Sequence, residues 1–146
     1  VAKVTTFQRI NLAGIRTLLT SPAGGVVKDL MRRGLRVESA AKRNISGLGN
    51  SGPRRVDTGR ARASITTSLV SRGGQPAVVV GSNVEYIRYI HDGTGIYGPR
   101  RRPIRPHGHQ FLRFRPKGGR RYVYAKQVKG MRPNPFLLKA LPAAKD

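Results

Sequence analysis

The chain has 146 residues, with 29 Lys and Arg against six acids, no cysteine, a formal charge of +23 and a pI near 11.9. The missing cysteines exclude a disulfide framework and a thiolate metal site, and no apolar run approaches the ~18 residues of a membrane span. What remains is a chain long enough for a single domain with a buried core, working beside something polyanionic: nucleic acid, acidic lipid or an acidic protein surface.

The N-terminus carries no signal-peptide apolar region, and a chain beginning at Val1 is expected to have lost an initiator methionine. Residues 1–10 are mildly β-prone and read as an arm. Asn11 then precedes Leu12, Ile15, Leu18 and Leu19, a short helical pattern ending at Thr20. Ser21-Pro22 is a restart signal, a capping Ser before a Pro at the first helical position. Val27, Leu30, Met31, Gly34, Val37, Ala41 and Ile45 keep helical spacing, which predicts one long helix over 23–46 with one buried face. Lys28, Arg32, Arg36 and Arg43 fall off that face. Gly34 costs about 1 kcal/mol relative to Ala in a helix interior; a close helix–strand approach would explain it.

Residues 47–55 are a loop by composition. Asp57 or Thr58 can cap a single turn before a strand over 65–70. Gly73-Gly74 makes a turn to a second strand over 77–80, so a hairpin is the economical reading. Val84, Ile87 and Ile90 recur three apart and predict an amphipathic helix over 84–91, capped by Asn83 and stopped by Gly93. Residues 96–110 form a long loop. Two strands, 111–115 and 121–129, follow around Pro116-Lys117-Gly118-Gly119. In the first of them Phe111, Arg113 and Arg115 share one face, and Leu112 and Phe114 the other. Pro133-Asn134-Pro135 introduces a last short helix, 136–141, anchored by Phe136, Leu137 and Ala140. The expected fold is α+β in the order α-α-β-β-α-β-β-α, with the long N-terminal helix packed on a largely antiparallel sheet. One domain, 1–146, would comprise an arm and short helix (1–22), a scaffold (23–95), an inserted basic loop and hairpin (96–131) and a closing helix with tail (132–146).

Motifs for chemistry are sparse. Gly93-Thr94-Gly95-Ile96-Tyr97-Gly98 matches G-x-G-x-x-G, but a helix precedes it and Pro99-Arg100-Arg101-Arg102-Pro103 follows, where dinucleotide binding needs a strand before and a helix after. His91, His107 and His109 lack the further ligands that zinc requires. The acids Asp57, Glu85 and Asp92 could meet only through the fold, as a two-metal nuclease would need. Ser64 with His91 and Asp92 can be drawn as a triad, which geometry alone could establish. Asn44-Ile45-Ser46 fits a glycosylation acceptor and carries nothing without a secretory signal. No cofactor is implied. The functional candidate is the basic arm: Arg100, Arg101, Arg102, Arg105, Arg113, Arg115, Lys117, Arg120, Arg121, Lys126 and Lys129, with no acid between them. Tyr97, Phe111, Phe114, Tyr122 and Tyr124 are interleaved. They could stack bases, but the expectation is that they pack the sheet, while the arginines either contact a polyanion or an acidic partner or simply face solvent. Nothing reads as base-specific recognition.

Three segments, Asp57-Thr58-Gly59-Arg60 with Ala63-Ser64-Ile65, then Val80-Gly81-Ser82 through Tyr86 and Tyr89 to Asp92-Gly93-Thr94, then Arg132-Pro133-Asn134-Pro135-Phe136-Leu137 with Ala140 and Leu141, together resemble the neck and tail-completion (head–tail connector, minor tail) proteins of long-tailed bacteriophages. Asp57-Thr58-Gly59-Arg60 with Ala63-Ser64-Ile65 is similar to their D-T-G-x-L-x-x-S-I segment. Val80-Gly81-Ser82 through Tyr86 and Tyr89 to Asp92-Gly93-Thr94 is similar to V-G … Y-A … E-x-G-T. Arg132-Pro133-Asn134-Pro135-Phe136-Leu137 with Ala140 and Leu141 is similar to P-x-R-P-F-L-x-x-A. Order and spacing agree over residues 23–143. The chain departs from the pattern at Ala61 (commonly Leu), at Asp92 (usually a Glu one residue earlier) and at Asn134 (usually Arg), and its 96–131 segment is longer. The resemblance implies a structural protein rather than an enzyme, made in the host cytoplasm and located in the virion at the head–tail junction. It implies a ring, commonly hexameric, whose partners are the head-side connector, the tail tube or tail terminator, and packaged DNA held by nonspecific contact. A sequence-nonspecific nucleic-acid-binding protein outside a virion fits the charge but not the three segments.

Overall fold

In a computed structural model that describes residues 12–21, 23–47, 59–116 and 119–145, two helices open the chain. α1 (Leu12–Thr20) and α2 (Gly25–Ile45) stand where the apolar spacing predicts them, but α2 starts later than residue 23 and its N-cap is Gly24, not Ser21. α2 buries Val27, Gly34, Val37, Ala40, Ala41 and Ile45, positions three and four apart that share one side of a helix. Lys28, Arg32, Arg36 and Arg43 lie off that face as expected. α1 contacts α2 and the first hairpin, yet its Ile15, Leu18 and Leu19 remain exposed.

α3 (Arg60–Ala63) is one turn, introduced by Gly59 at φ +82°. Asp57 and Thr58, expected to cap it, lie outside the described residues. β1 (Ile65–Arg72) and β2 (Gln75–Ser82) pair antiparallel from Ile65 opposite Ser82 to Arg72 opposite Gln75. Both strands run further than their apolar stretches, because backbone pairing continues to the turn. Gly73 and Gly74 both have positive φ, 57° and 76°, the pattern of a two-residue turn that matches strand twist.

α2 lies on this hairpin at Gly34. An ideal Cβ there would sit 2.5 Å from Val78 Cγ1 and 2.7 Å from Thr67 Cγ2, so the glycine permits the close approach anticipated for it. Thr67 Oγ1 donates to Glu38 Oε2 at 2.7 Å and lies 3.3 Å from the Gly34 carbonyl. Lys42 Nζ donates to Glu38 Oε1 at 2.6 Å. The Lys42 hydrogen bond, and then that from Thr67, hold the Glu38 carboxyl below the usual range. Ile45, Ile65 and Phe136 are fully buried at the centre of the core, with Val37, Ala41, Ala61, Ile87, Ile90 and Ala140 around them.

Past β2 the chain departs from expectation in several details. Asn83 does not cap the next helix. Residues 84–86 already form a turn, with Ile87 N donating to Val84 O, so α4 (Ile87–Asp92) starts later, and Ser82 Oγ accepts from Val84 N at 3.1 Å instead. Gly93, at φ +80°, does end the helix. β3 (Leu112–Phe114) and β4 (Val123–Ala125) are shorter than predicted and pair only with each other. The fold is therefore α+β with two small antiparallel sheets, and α2 packs on the first alone. The closing element is a 3-10 helix, Leu138–Ala144, rather than an α-helix from Phe136. Pro142, inside it, has no N–H for an α-helical bond and would crowd the carbonyl four residues back.

Candidate nucleic-acid interface

The basic segment leaves the scaffold through a backbone clamp. Thr94 N donates to Met131 O at 2.8 Å, Ile96 N to Lys129 O at 2.9 Å, and Met131 N to Thr94 Oγ1 at 2.9 Å. Asn134 N donates to Ile90 O at 2.9 Å, which ties the clamp to α4. The glycines of G-x-G-x-x-G are required by this clamp. A Cβ at Gly93 would meet the Met131 carbonyl at 2.8 Å, one at Gly98 would meet the Gly93 carbonyl at 2.8 Å, and one at Gly95 would collide with the Lys129 carbonyl. Protein backbone thus lies directly against these three glycines. Above the clamp, Ile104 and Val128 exchange two 2.9 Å bonds, and β3–β4 continues the stem outward.

On this stem Arg100, Arg101, Arg102, Arg105, Arg113, Arg115, Arg120, Arg121, Lys126 and Lys129 are all exposed; Lys117 lies outside the described residues. Among the described residues none of them is ion-paired, the three pairs being Arg33–Asp29, Lys42–Glu38 and His91–Asp92. Arg113 faces Tyr124 across the ladder and places its guanidinium 4.0 Å from the Tyr122 ring centre. Arg115 Nε donates to Gly119 O at 2.9 Å. At the base of the stem Arg132 lies over Tyr97, 5.5 Å from the ring centre.

The aromatic side chains do not pack as expected. Phe111, Tyr122 and Tyr124 keep 45%, 53% and 61% of their exposure. The reason is topological: among the described residues β3 and β4 pack broadly on no other helix or strand, and none of the hairpin's described residues belongs to the buried core. The faces alternate as the sequence predicts, with Leu112 and Phe114 opposite Ala125 and Val123 on the uncharged side.

The described parts of the other segments singled out in the sequence meet below the stem. Ile65, Ile90 and Phe136 share one core, and the His91 ring stands edge-on to Phe136 at 5.6 Å. Ser64 Oγ donates to Ala61 O at 2.9 Å and shares a 2.7 Å hydrogen bond with Ser82 Oγ, next to the half-buried Gly81. Tyr86 is exposed, while Pro135 and Leu137 flank buried Phe136. His91 Nδ1 lies 2.7 Å from Asp92 Oδ1, but Ser64 has other partners, so no triad is assembled. Among the described residues no three His or acid side chains gather as a metal site would require. Asn44, of the Asn-Ile-Ser triplet, donates Nδ2 to the Phe136 carbonyl at 3.1 Å. Asn134 is a position that sequence patterns miss: its side chain is fully buried and both amide atoms lack a hydrogen-bond partner. Only its place between two prolines signals a constrained position. Comparison with known proteins returns nothing: no family model matches the chain, nor does any curated protein or solved structure.

Proposed function

We propose that this chain is a structural subunit of the head–tail junction of a long-tailed bacteriophage, one member of a ring joining the head-side connector to the tail and surrounding the DNA channel. One observation carries the reading. The described parts of the segments that resemble the neck and tail-completion proteins, far apart in sequence, lie together in the fold: Ser64-Ile65 at the start of the hairpin, Gly93-Thr94 at the clamp, and Pro135-Phe136-Leu137 at the core. Two further features agree with it. Ile15, Leu18 and Leu19 on α1, and Leu138 and Leu141 on the closing helix, are apolar and exposed, which suits burial against neighbouring subunits. The basic stem projects from the scaffold, as a contact with a passing duplex or an acidic neighbouring ring requires. No catalytic or cofactor role is assigned.

The test is the size of the purified protein alone and with connector components, together with its copy number and position in intact particles. A monomer absent from particles overturns the proposal. Changing Arg100, Arg101, Arg102 and Arg105 to Gln separates the roles of the stem. If these cations face DNA, the salt slope of duplex binding falls by about 0.9 for each phosphate no longer neutralised; if they dock on protein, the variant yields tailless heads. A second reading, a sequence-nonspecific nucleic-acid-binding protein outside a virion, is favoured by the exposed rings among the cations. It predicts binding by isolated monomers.

A further inference from the structure

We infer that the face of β3–β4 carrying Phe111, Arg113, Arg115, Tyr122, Tyr124 and Lys126 is a stacking platform for single-stranded nucleic acid. The ladder sets Arg113 opposite Tyr124, and the Arg113–Tyr122 contact fixes Tyr122 on the same side. Phe111, Arg115 and Lys126, exposed, flank these strands one residue beyond their ends. Three aromatic rings about half exposed or more are an informative exception, because a chain this size has a core to take them. Phosphate contact does not need them: cations alone neutralise a duplex, whose bases are already stacked on one another. A single strand offers open base faces, and aromatic rings in a basic groove meet them without regard to sequence. Same-face neighbours on a strand lie about 7 Å apart, so Tyr122 and Tyr124 present successive rings along one direction. Arg113 covers one side of Tyr122 at 4.0 Å and adds its own guanidinium plane, a further stacking surface.

The opposite face of the hairpin argues for this ligand over a protein. Leu112, Phe114, Val123 and Ala125 make an uncharged, partly exposed side, where an apolar partner would sit. The side with rings and cations together is the one complementary to a polyanion with flat apolar groups. The inference rests on these ring faces and does not need the head–tail reading.

The experiment uses the full chain with fluorescein-labelled oligo(dT) of about 20 nucleotides, long enough for a single-strand site, and a duplex of equal length. Anisotropy gives Kd across a salt series. The chain has five tyrosines and no tryptophan, so quenching of tyrosine emission reports stacking directly. Oligo(dT) should bind tighter than the duplex and quench tyrosine. The double variant Tyr122→Ala/Tyr124→Ala should bind oligo(dT) about tenfold more weakly or worse, with the duplex Kd and the salt slope unchanged, since a ring releases no counterions. Tyr124→Phe, which keeps the ring, should bind as the parent chain, and equal thermal melts certify the fold of each variant. Duplex binding equal to or tighter than oligo(dT), or an unaffected double variant, overturns the inference. So does binding to phosphatidylserine vesicles that the double variant abolishes, which would assign the rings to a lipid surface.

Discussion

Replacing Gly34 by alanine sets two opposed effects against each other. Alanine in a helix interior is favoured over glycine by about 1 kcal/mol. The new Cβ, however, would lie 2.5 Å from Val78 Cγ1 and 2.7 Å from Thr67 Cγ2, where carbon contacts settle near 3.5–4.0 Å. Both neighbours are β-branched and stiff at χ1, so the helix must retreat by about 1 Å. Retreat strains the Thr67–Glu38 hydrogen bond at 2.7 Å, which spans the same gap. Overpacking of this kind costs about 1–3 kcal/mol. Set against the propensity gain, this leaves Gly34→Ala between neutral and about 2 kcal/mol less stable, up to a few degrees in Tm for a chain of this length. Urea unfolding at unchanged slope measures it. Adding Val78→Ala, which removes the struck methyl, should make the pair of changes less costly than their sum. A Gly34→Ala variant more stable than the parent by the propensity difference would refute the close approach.

Other consequences follow from the clamp and the core. Gly95→Ala places a Cβ against the Lys129 carbonyl at φ +64° and should cost more than about 2 kcal/mol, read as a large fall in Tm; a neutral variant would mean the clamp is not formed. Asn134→Leu replaces a fully buried, unpartnered amide by an apolar group of similar size and should stabilise by about 1 kcal/mol or more. A less stable Asn134→Leu variant would show that the amide is hydrogen-bonded in solution. For Glu38 the folded carboxyl is held below its ordinary value of 4.5, first by Lys42 and then by Thr67. Its contribution is thus complete above the unfolded pKa and disappears as pH falls through the folded one. Glu38→Gln should therefore flatten the acid side of the stability profile, and an unchanged acid limb would count against the Lys42–Glu38–Thr67 chain.

Local patterns in the residue order carry α1, α2 and the two-glycine hairpin, because helical spacing and paired positive-φ glycines act over a few residues. The stop at Gly93 is legible for the same reason, and so is the alternation of apolarity and charge in Leu112–Phe114. Sequence alone misplaces the start of α4, where a turn at 84–86 takes the place of the Asn83 cap. It also leaves open what the glycines of 93–98 are for, since much of the backbone that crowds them comes from 129–131.

What the sequence determines by itself is an α+β chain with a strongly basic segment set between the Gly93 stop and the Pro133-Asn134-Pro135 entry to the closing helix. Only the tertiary structure decides where the rings of that segment point. Alternation along a strand sorts side chains into two faces, but which face finds neighbours depends on what packs against it. Among the described residues no other helix or strand packs broadly on β3–β4, so Tyr122 and Tyr124 stand outside among the arginines rather than in the core. The burial of Asn134 and the need for glycine at position 34 likewise arise between residues distant in the chain, and no local pattern encodes them.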